Sequence, residues 1–215
     1  MRILKRTARS AAALLLAVLI VAGCMILPGT SLTADAASTL TSIGLAEHGL
    51  KAYREGWEYA YATYGNKNSS GVRTTDCSGL VYAYLCWNDS TGTVKPNWSY
   101  PRTVTQLINS SSESGPVSSI PRTHGLLVTV TTATHVGIYV GNGMVTDNSS
   151  YAVDMRYDSV YKHNWARWHK LDCITYPTEG WYEFDGDYYY YEDGEYVINT
   201  TRTIDGVTYT FGSDG

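Results

Sequence analysis

Gly141-Asn142-Gly143 stands between two runs of apolar and β-branched residues, His135-Val136-Gly137-Ile138-Tyr139-Val140 and Met144-Val145-Thr146. Glycine and asparagine accept the positive φ of a tight hairpin, so this segment commits the chain to an antiparallel strand pair and excludes an all-helical fold. Leu126–Val130 and Trp165–Leu171 supply two more strands from the same residue types. The turn admits two registers. If Asn142-Gly143 alone forms the loop, Gly141 pairs with Met144, and His135 lies opposite Ser150 and shares a face with Asn148. If Gly141 to Gly143 form a three-residue loop, Val140 pairs with Met144 and Asp147 takes the face of His135. Asn66 to Thr75 and the Ser-rich Asn109 to Ser119 read as loops.

Upstream, Thr39 to Tyr64 has helical spacing in Leu45, Leu50, Tyr53 and Trp57. Along Asp76 to Trp87, Cys77, Leu80, Val81, Tyr84 and Leu85 fall on one helical face, with Thr74, Thr75 and Asp76 offering capping oxygens. One helix followed by an antiparallel meander gives an α+β domain. The helix carries a cysteine in its first turn, where the positive end of the dipole favours a thiolate, the form in which sulfur is a nucleophile. An imidazole nearby would hold the proton. Of His48, His124, His135, His163 and His169, His135 opens a strand at the sheet end and can face the helix N-terminus. His124 lies in a Pro-Arg-Thr-His-Gly loop, and His163 and His169 read as surface residues.

Met1 to Ala36 holds four basic residues against Asp35, and Ala11 to Leu27 is an apolar run ended by Pro28-Gly29. This is the pattern of a secretory leader, with cleavage expected after Ala36, in Ala34-Asp35-Ala36. Val21-Ala22-Gly23-Cys24 offers the alternative of a lipoprotein anchored through Cys24. Removal of the leader leaves Cys77, Cys86 and Cys173, an odd number that leaves at least one thiol without an internal partner; Cys86 with Cys173 is a possible disulfide. There is no C-x-x-C pair, so no structural zinc is expected. A formal charge of −4 argues against nucleic acid as a partner.

Thr75-Asp76-Cys77-Ser78-Gly79-Leu80-Val81 and His135-Val136-Gly137-Ile138-Tyr139-Val140-Gly141 together resemble the NlpC-type peptidoglycan endopeptidases, papain-like cysteine peptidases of bacterial cell walls. The resemblance covers roughly residues 39 to 177, and the expected catalytic domain is 37–177. It implies Cys77 as nucleophile and His135 as general base and then acid. It also implies Asp147, twelve places after the base, as the third catalytic residue in place of the more common His, with Asn148 as runner-up, and so favours the three-residue loop. Gly56-Trp57-Glu58-Tyr59 resembles the family's segment ahead of the cysteine, with Glu58 where proline is usual. By resemblance, Tyr59 helps hold the oxyanion, and Asp76 and Ser78 contact substrate, the Asp as counter-charge to a free amine. Neither metal nor cofactor is implied. The implied substrate is a peptidoglycan stem peptide, and a monomer is expected. An amidase, an acyltransferase or an inactive cell-wall-binding protein are the alternatives.

Of the nineteen tyrosines, seven fall in Trp181 to Gly215, which also carries eight acids against Arg202. Asp185-Gly186-Asp187-Tyr188 recurs twenty residues on as Asp205-Gly206-Val207-Thr208, each copy reading as a β-hairpin with an Asp-Gly turn. The pattern resembles choline- or glucan-binding wall repeats, whose aromatics would take a wall carbohydrate or a choline-type cation. Two departures stand out: Thr201 replaces Trp181, and the stretch contains two hairpins where about three are usual.

Overall fold

The computed structural model describes residues 40–215, which belong to one compact unit, Ser38–Gly215. The expected leader, 1–36, lies outside the described residues. Helix α1 (Ser42–Arg54) starts where the Thr41 hydroxyl accepts the Gly44 N–H at 3.0 Å. It buries Leu45, Ala46, Leu50 and Ala52. A side chain at Gly49 would meet Thr146 Oγ1 at 2.4 Å, so the missing Cβ is what lets this helix lie against the central sheet. Helix α2 (Cys77–Leu85) is buried on nearly every side rather than on one face: Ser78, Gly79, Tyr82 and Ala83 are buried along with Leu80, Val81 and Leu85.

Three short strands precede α2: β1 (Glu58–Tyr59), β2 (Tyr64–Lys67) and β3 (Arg73–Thr75), with β3 between the others, parallel to β1 and antiparallel to β2. The stretch expected as a polar loop is therefore largely a hairpin. A small ribbon, β4 (Trp87–Asn88) with β5 (Thr93–Val94), and helix α3 (Val104–Asn109) follow.

The main sheet is built from β6 (Ser111–Pro116), β7 (Leu126–Val130), β8 (Val136–Tyr139), β9 (Met144–Asn148), β10 (Met155–Ser159) and β11 (Trp165–Leu171). It is antiparallel throughout, in the order β10-β9-β8-β7-β11-β6. Strand β6 corrects the loop expected for Asn109 to Ser119. Its serines are poor strand formers, but the edge of the sheet asks little of them, and Gly115 opposite Trp168 leaves room for the indole, 2.7 Å from where a Cβ would stand. Leu127, Val136, Ile138 and Val140 face the helices. Leu126, Val128, Tyr139, Val145, Trp165 and Trp168 form a second core on the other face. His169, expected at the surface, is 3% exposed and its Nε2 lies 3.0 Å from Thr129 Oγ1. Its strand is interior, so alternation turns every second residue into the core. His163 sits at a partly exposed turn beside Asp158, at 3.1 Å.

The last segment forms β12 (Gly180–Phe184), β13 (Asp187–Glu192) and β14 (Glu195–Tyr196) in one sheet, then the hairpin β15 (Thr200–Ile204) and β16 (Val207–Phe211). Phe184, Tyr189, Tyr191 and Tyr196 join the main core and enclose the His124 ring. The Phe184 centroid is 4.1 Å away, Tyr196 stacks at 5.0 Å, and Tyr191 Oη lies 2.6 Å from Nδ1. An aromatic cage of the kind that takes a ligand is here filled by the chain's own imidazole. Arg122 pairs with Glu195 at 2.8 Å and Arg54 with Asp185 at 2.6 Å, so the hairpin is clasped at its rim as well as at its centre.

Candidate active site

The thiol owes its position to backbone on both sides. Asp76 caps α2, its Oδ1 accepting the Gly79 N–H at 2.6 Å and the Ser78 hydroxyl at 3.2 Å, while Oδ2 accepts the Ala62 N–H at 2.9 Å. A Cβ on Gly79 would meet the Thr63 carbonyl oxygen at 2.1 Å, so the loop after β1 lies directly on the first turn. Cys77 thus begins the helix within a tightly held corner.

The β8–β9 turn takes the three-residue form. Ile138 pairs with Thr146 and Tyr139 with Val145, the Val140 N–H bonds the Met144 carbonyl at 2.9 Å, and Gly141, Asn142 and Gly143 all have positive φ. In this register His135 and Asp147 occupy one face, with His135 Nε2 2.6 Å from Asp147 Oδ2. The other ring nitrogen, Nδ1, is free of Asp147, and Cys77 lies close enough to act on the imidazole. Burial alone would push His135 down; the hydrogen bond to Asp147, with the influence of nearby Cys77 and the charges of both, outweighs it and raises the imidazole to about 9. Trp165 stacks on the ring at 5.4 Å.

Asn148 points to the opposite face. Its Nδ2 donates to the Glu58 carbonyl at 3.1 Å and to Thr75 Oγ1 at 2.9 Å, tying the end of β9 to β1 and β3. It therefore holds together the strands that deliver Tyr59 and Cys77. Tyr59 lies close enough to Asp76 and Cys77 for their charges, after burial, to raise its phenol, which keeps it a proton donor. Asp76 caps the helix through the Gly79 N–H and accepts the Ser78 hydroxyl, so both side chains are engaged at the helix start.

Sequence reasoning did not find Arg156. Its Nε and Nη2 donate to the two oxygens of Asp147 at 3.1 and 2.6 Å, so the carboxylate is held from both sides at 2% exposure. The signal was present, since Arg156 is the direct cross-strand partner of Asp147, but it depended on knowing the β9–β10 register. Cys86 and Cys173 are both free thiols, so the possible disulfide between them does not form. Among the described residues no cluster of His, Cys, Asp and Glu could hold a metal ion.

Three comparisons bear on the chain's relations. Among solved structures, it is similar to the P60 domain of an antigen from Mycobacterium avium subspecies paratuberculosis, at 19% identity and TM-score 0.41 over 62% of this chain and 98% of that one. It is similar to the peptidoglycan hydrolase RipB of Mycobacterium tuberculosis at 19% identity and TM-score 0.41, over 79% and 88%. Similarity to the NlpC/p60 domain of the peptidoglycan hydrolase SagA reaches 24% identity at TM-score 0.39, over 59% and 98%. No curated protein matches. The family model for NlpC/P60 matches residues 56–172, a span that runs from the glycine before Trp57 to the end of the main sheet and includes Cys77, His135 and Asp147. By that match over more than half its length, this chain belongs to the NlpC/P60 family.

Proposed function

We propose that this protein is a secreted cell-wall hydrolase that cleaves an amide bond of peptidoglycan stem peptides by cysteine catalysis. The observation that carries the reading is His135 bonded to Asp147 at 2.6 Å on one face of the sheet, near Cys77 at the start of a helix. In the proposed reaction Nδ1 of His135 takes the thiol proton and the thiolate attacks the substrate carbonyl. The Tyr59 hydroxyl and N–H groups at the start of α2 meet the oxyanion. The imidazolium returns its proton to the leaving amine, and water activated by His135 hydrolyses the thioester. Asp147 fixes the tautomer and orientation of the ring, as the third member of a triad does. Export would follow removal of residues 1–36, leaving 37–177 as the catalytic region.

The last hairpins offer a second, separable contact. Trp181, Tyr190, Tyr209 and Phe211 cluster with ring centroids 4.9 to 6.3 Å apart, Trp181 and Tyr209 edge to face and both exposed, and this ledge suits a wall carbohydrate or a choline-type cation.

The test is mass spectrometry of purified peptidoglycan after incubation with wild type and with Cys77→Ala. New amines or stem fragments are expected from wild type alone, and their absence defeats the peptidase reading. For the ledge, Trp181→Ala should weaken sedimentation with isolated walls; equal binding rejects it.

A further inference from the structure

A neutral side chain at position 147 could orient the His135 ring without bringing a charge into the interior. Asp147 brings a carboxylate that is 2% exposed. A buried carboxylate is costly unless it is paired and hydrogen-bonded. The residue directly across the β9–β10 ladder is the nearest candidate to pair it, and that residue is Arg156.

The pairing is a fork. Arg156 Nε donates to Asp147 Oδ1 at 3.1 Å and Nη2 donates to Oδ2 at 2.6 Å, so both oxygens are held and the plane of the carboxylate is set. His135 Nε2 lies 2.6 Å from the same Oδ2. One oxygen therefore serves guanidinium and imidazole together, and the two nitrogens are at most twice that distance apart. The Arg156 and His135 side chains are 18% and 19% exposed, so water screens this group little. The guanidinium thus does two things to the ring: it keeps the carboxylate in place, and its charge opposes a second positive charge on the imidazole beside it. From α2, Cys77 is the other ionisable group acting on His135.

We propose that Arg156 is a positioning residue of the catalytic site: its fork fixes Asp147 for His135, and by sharing Oδ2 with the ring it limits how strongly the carboxylate holds the proton of the imidazolium. This rests on the proposed cysteine catalysis and adds a residue to it. Arg156 acts through Asp147 and His135 and does not touch the reacting atoms.

The test uses the full-length chain with Arg156→Gln, which removes the charge, and Arg156→Lys, which keeps the charge but cannot grip both oxygens. The His135 ring is titrated by NMR in the Cys77→Ala background, where no thiol titrates with it. With Cys77 in place, kcat and KM on soluble peptidoglycan fragments are measured across pH. Arg156→Gln should raise the His135 midpoint by about one pH unit and carry the alkaline limb of kcat/KM up with it, the opposite direction to loss of Asp147. Arg156→Lys should leave the midpoint near that of wild type while kcat falls about tenfold at unchanged KM, because the charge remains and the alignment does not. A midpoint that stays in place in Arg156→Gln, or falls toward the ordinary imidazole value, overturns the inference; so does a lowered Tm with midpoint and kcat both unmoved. Should Arg156→Gln fail to fold, Arg156→Lys decides: a fall in kcat at constant KM upholds the assignment and wild-type kcat refutes it. The titration needs no substrate, so a chain that releases nothing from peptidoglycan refutes the peptidase reading and leaves Arg156 to be judged by NMR.

Discussion

In the proposed mechanism His135 is the residue on which the chemistry turns, and its environment sets a pH window. With the imidazole raised to about 9, the protonated ring persists well above neutrality, and loss of activity on the alkaline side should follow its titration. Replacing Asp147 removes a hydrogen bond and a charge that favour the imidazolium. Asp147→Asn should therefore move the alkaline limb of the kcat/KM profile down toward the ordinary imidazole value of about 6.5. The check is a pH–rate profile paired with NMR titration of the His135 ring. An alkaline limb that stays where it was would show that Asp147 does not act through His135. Arg156, paired to the same carboxylate, would lose its partner in this variant, so Asp147→Glu is the useful companion for separating charge from fit.

At the scale of elements, the first C-terminal hairpin behaves as core and the second as covering. Phe184, Tyr189, Tyr191 and Tyr196 are each below 10% exposed and surround His124, whereas β15–β16 buries chiefly Phe211. A chain ending at residue 199 should remain folded with a modest loss in Tm. One ending at residue 178 should be insoluble or unfolded by circular dichroism, because it opens the core around His124. Finer still, Tyr191→Phe leaves His124 Nδ1 buried without its partner and should cost about 1–3 kcal/mol in denaturant unfolding. These elements were legible to different degrees. The Gly141-Asn142-Gly143 turn narrowed β8–β9 to two registers, one of which puts Asp147 with His135, because turn residues and side-chain alternation are local. The edge strand Ser111–Pro116 was not legible, because its pairing with β11 is a tertiary event that serine-rich sequence does not advertise. The burial of His169 and the cage around His124 depend likewise on partners 40 to 67 residues away.

For the whole molecule, the histidines oppose one another in their response to pH. Burial pushes His48, walled by Trp57 and Trp87 at 5.3 and 5.8 Å, down to about 3, and does the same to His124. Both are neutral in the fold, so the stability they contribute is complete above about 6.5 and is lost as pH falls from there toward 3. His135 has the reverse sign: its contribution is complete below about 6.5 and is lost as pH rises through about 9. Tm should therefore be highest around pH 6.5 and fall on both sides. His124→Gln should flatten the acid side, and Asp147→Asn should lower Tm more at pH 6 than at pH 10. A Tm flat from pH 4 to 10 would contradict all three assignments.

The filled cage around His124 also has a consequence in time. Its walls come from residues 184 to 196 and its occupant from the loop before β7, so the interior is closed by a segment made after the rest of that core. Synthesis runs from the N-terminus, and Cys77 and His135 leave the ribosome well before Tyr191 and Tyr196 do. Until those tyrosines arrive, Cys77 and His135 belong to an unfinished core, and the site they form comes into being only after residues 184 to 196 have been made.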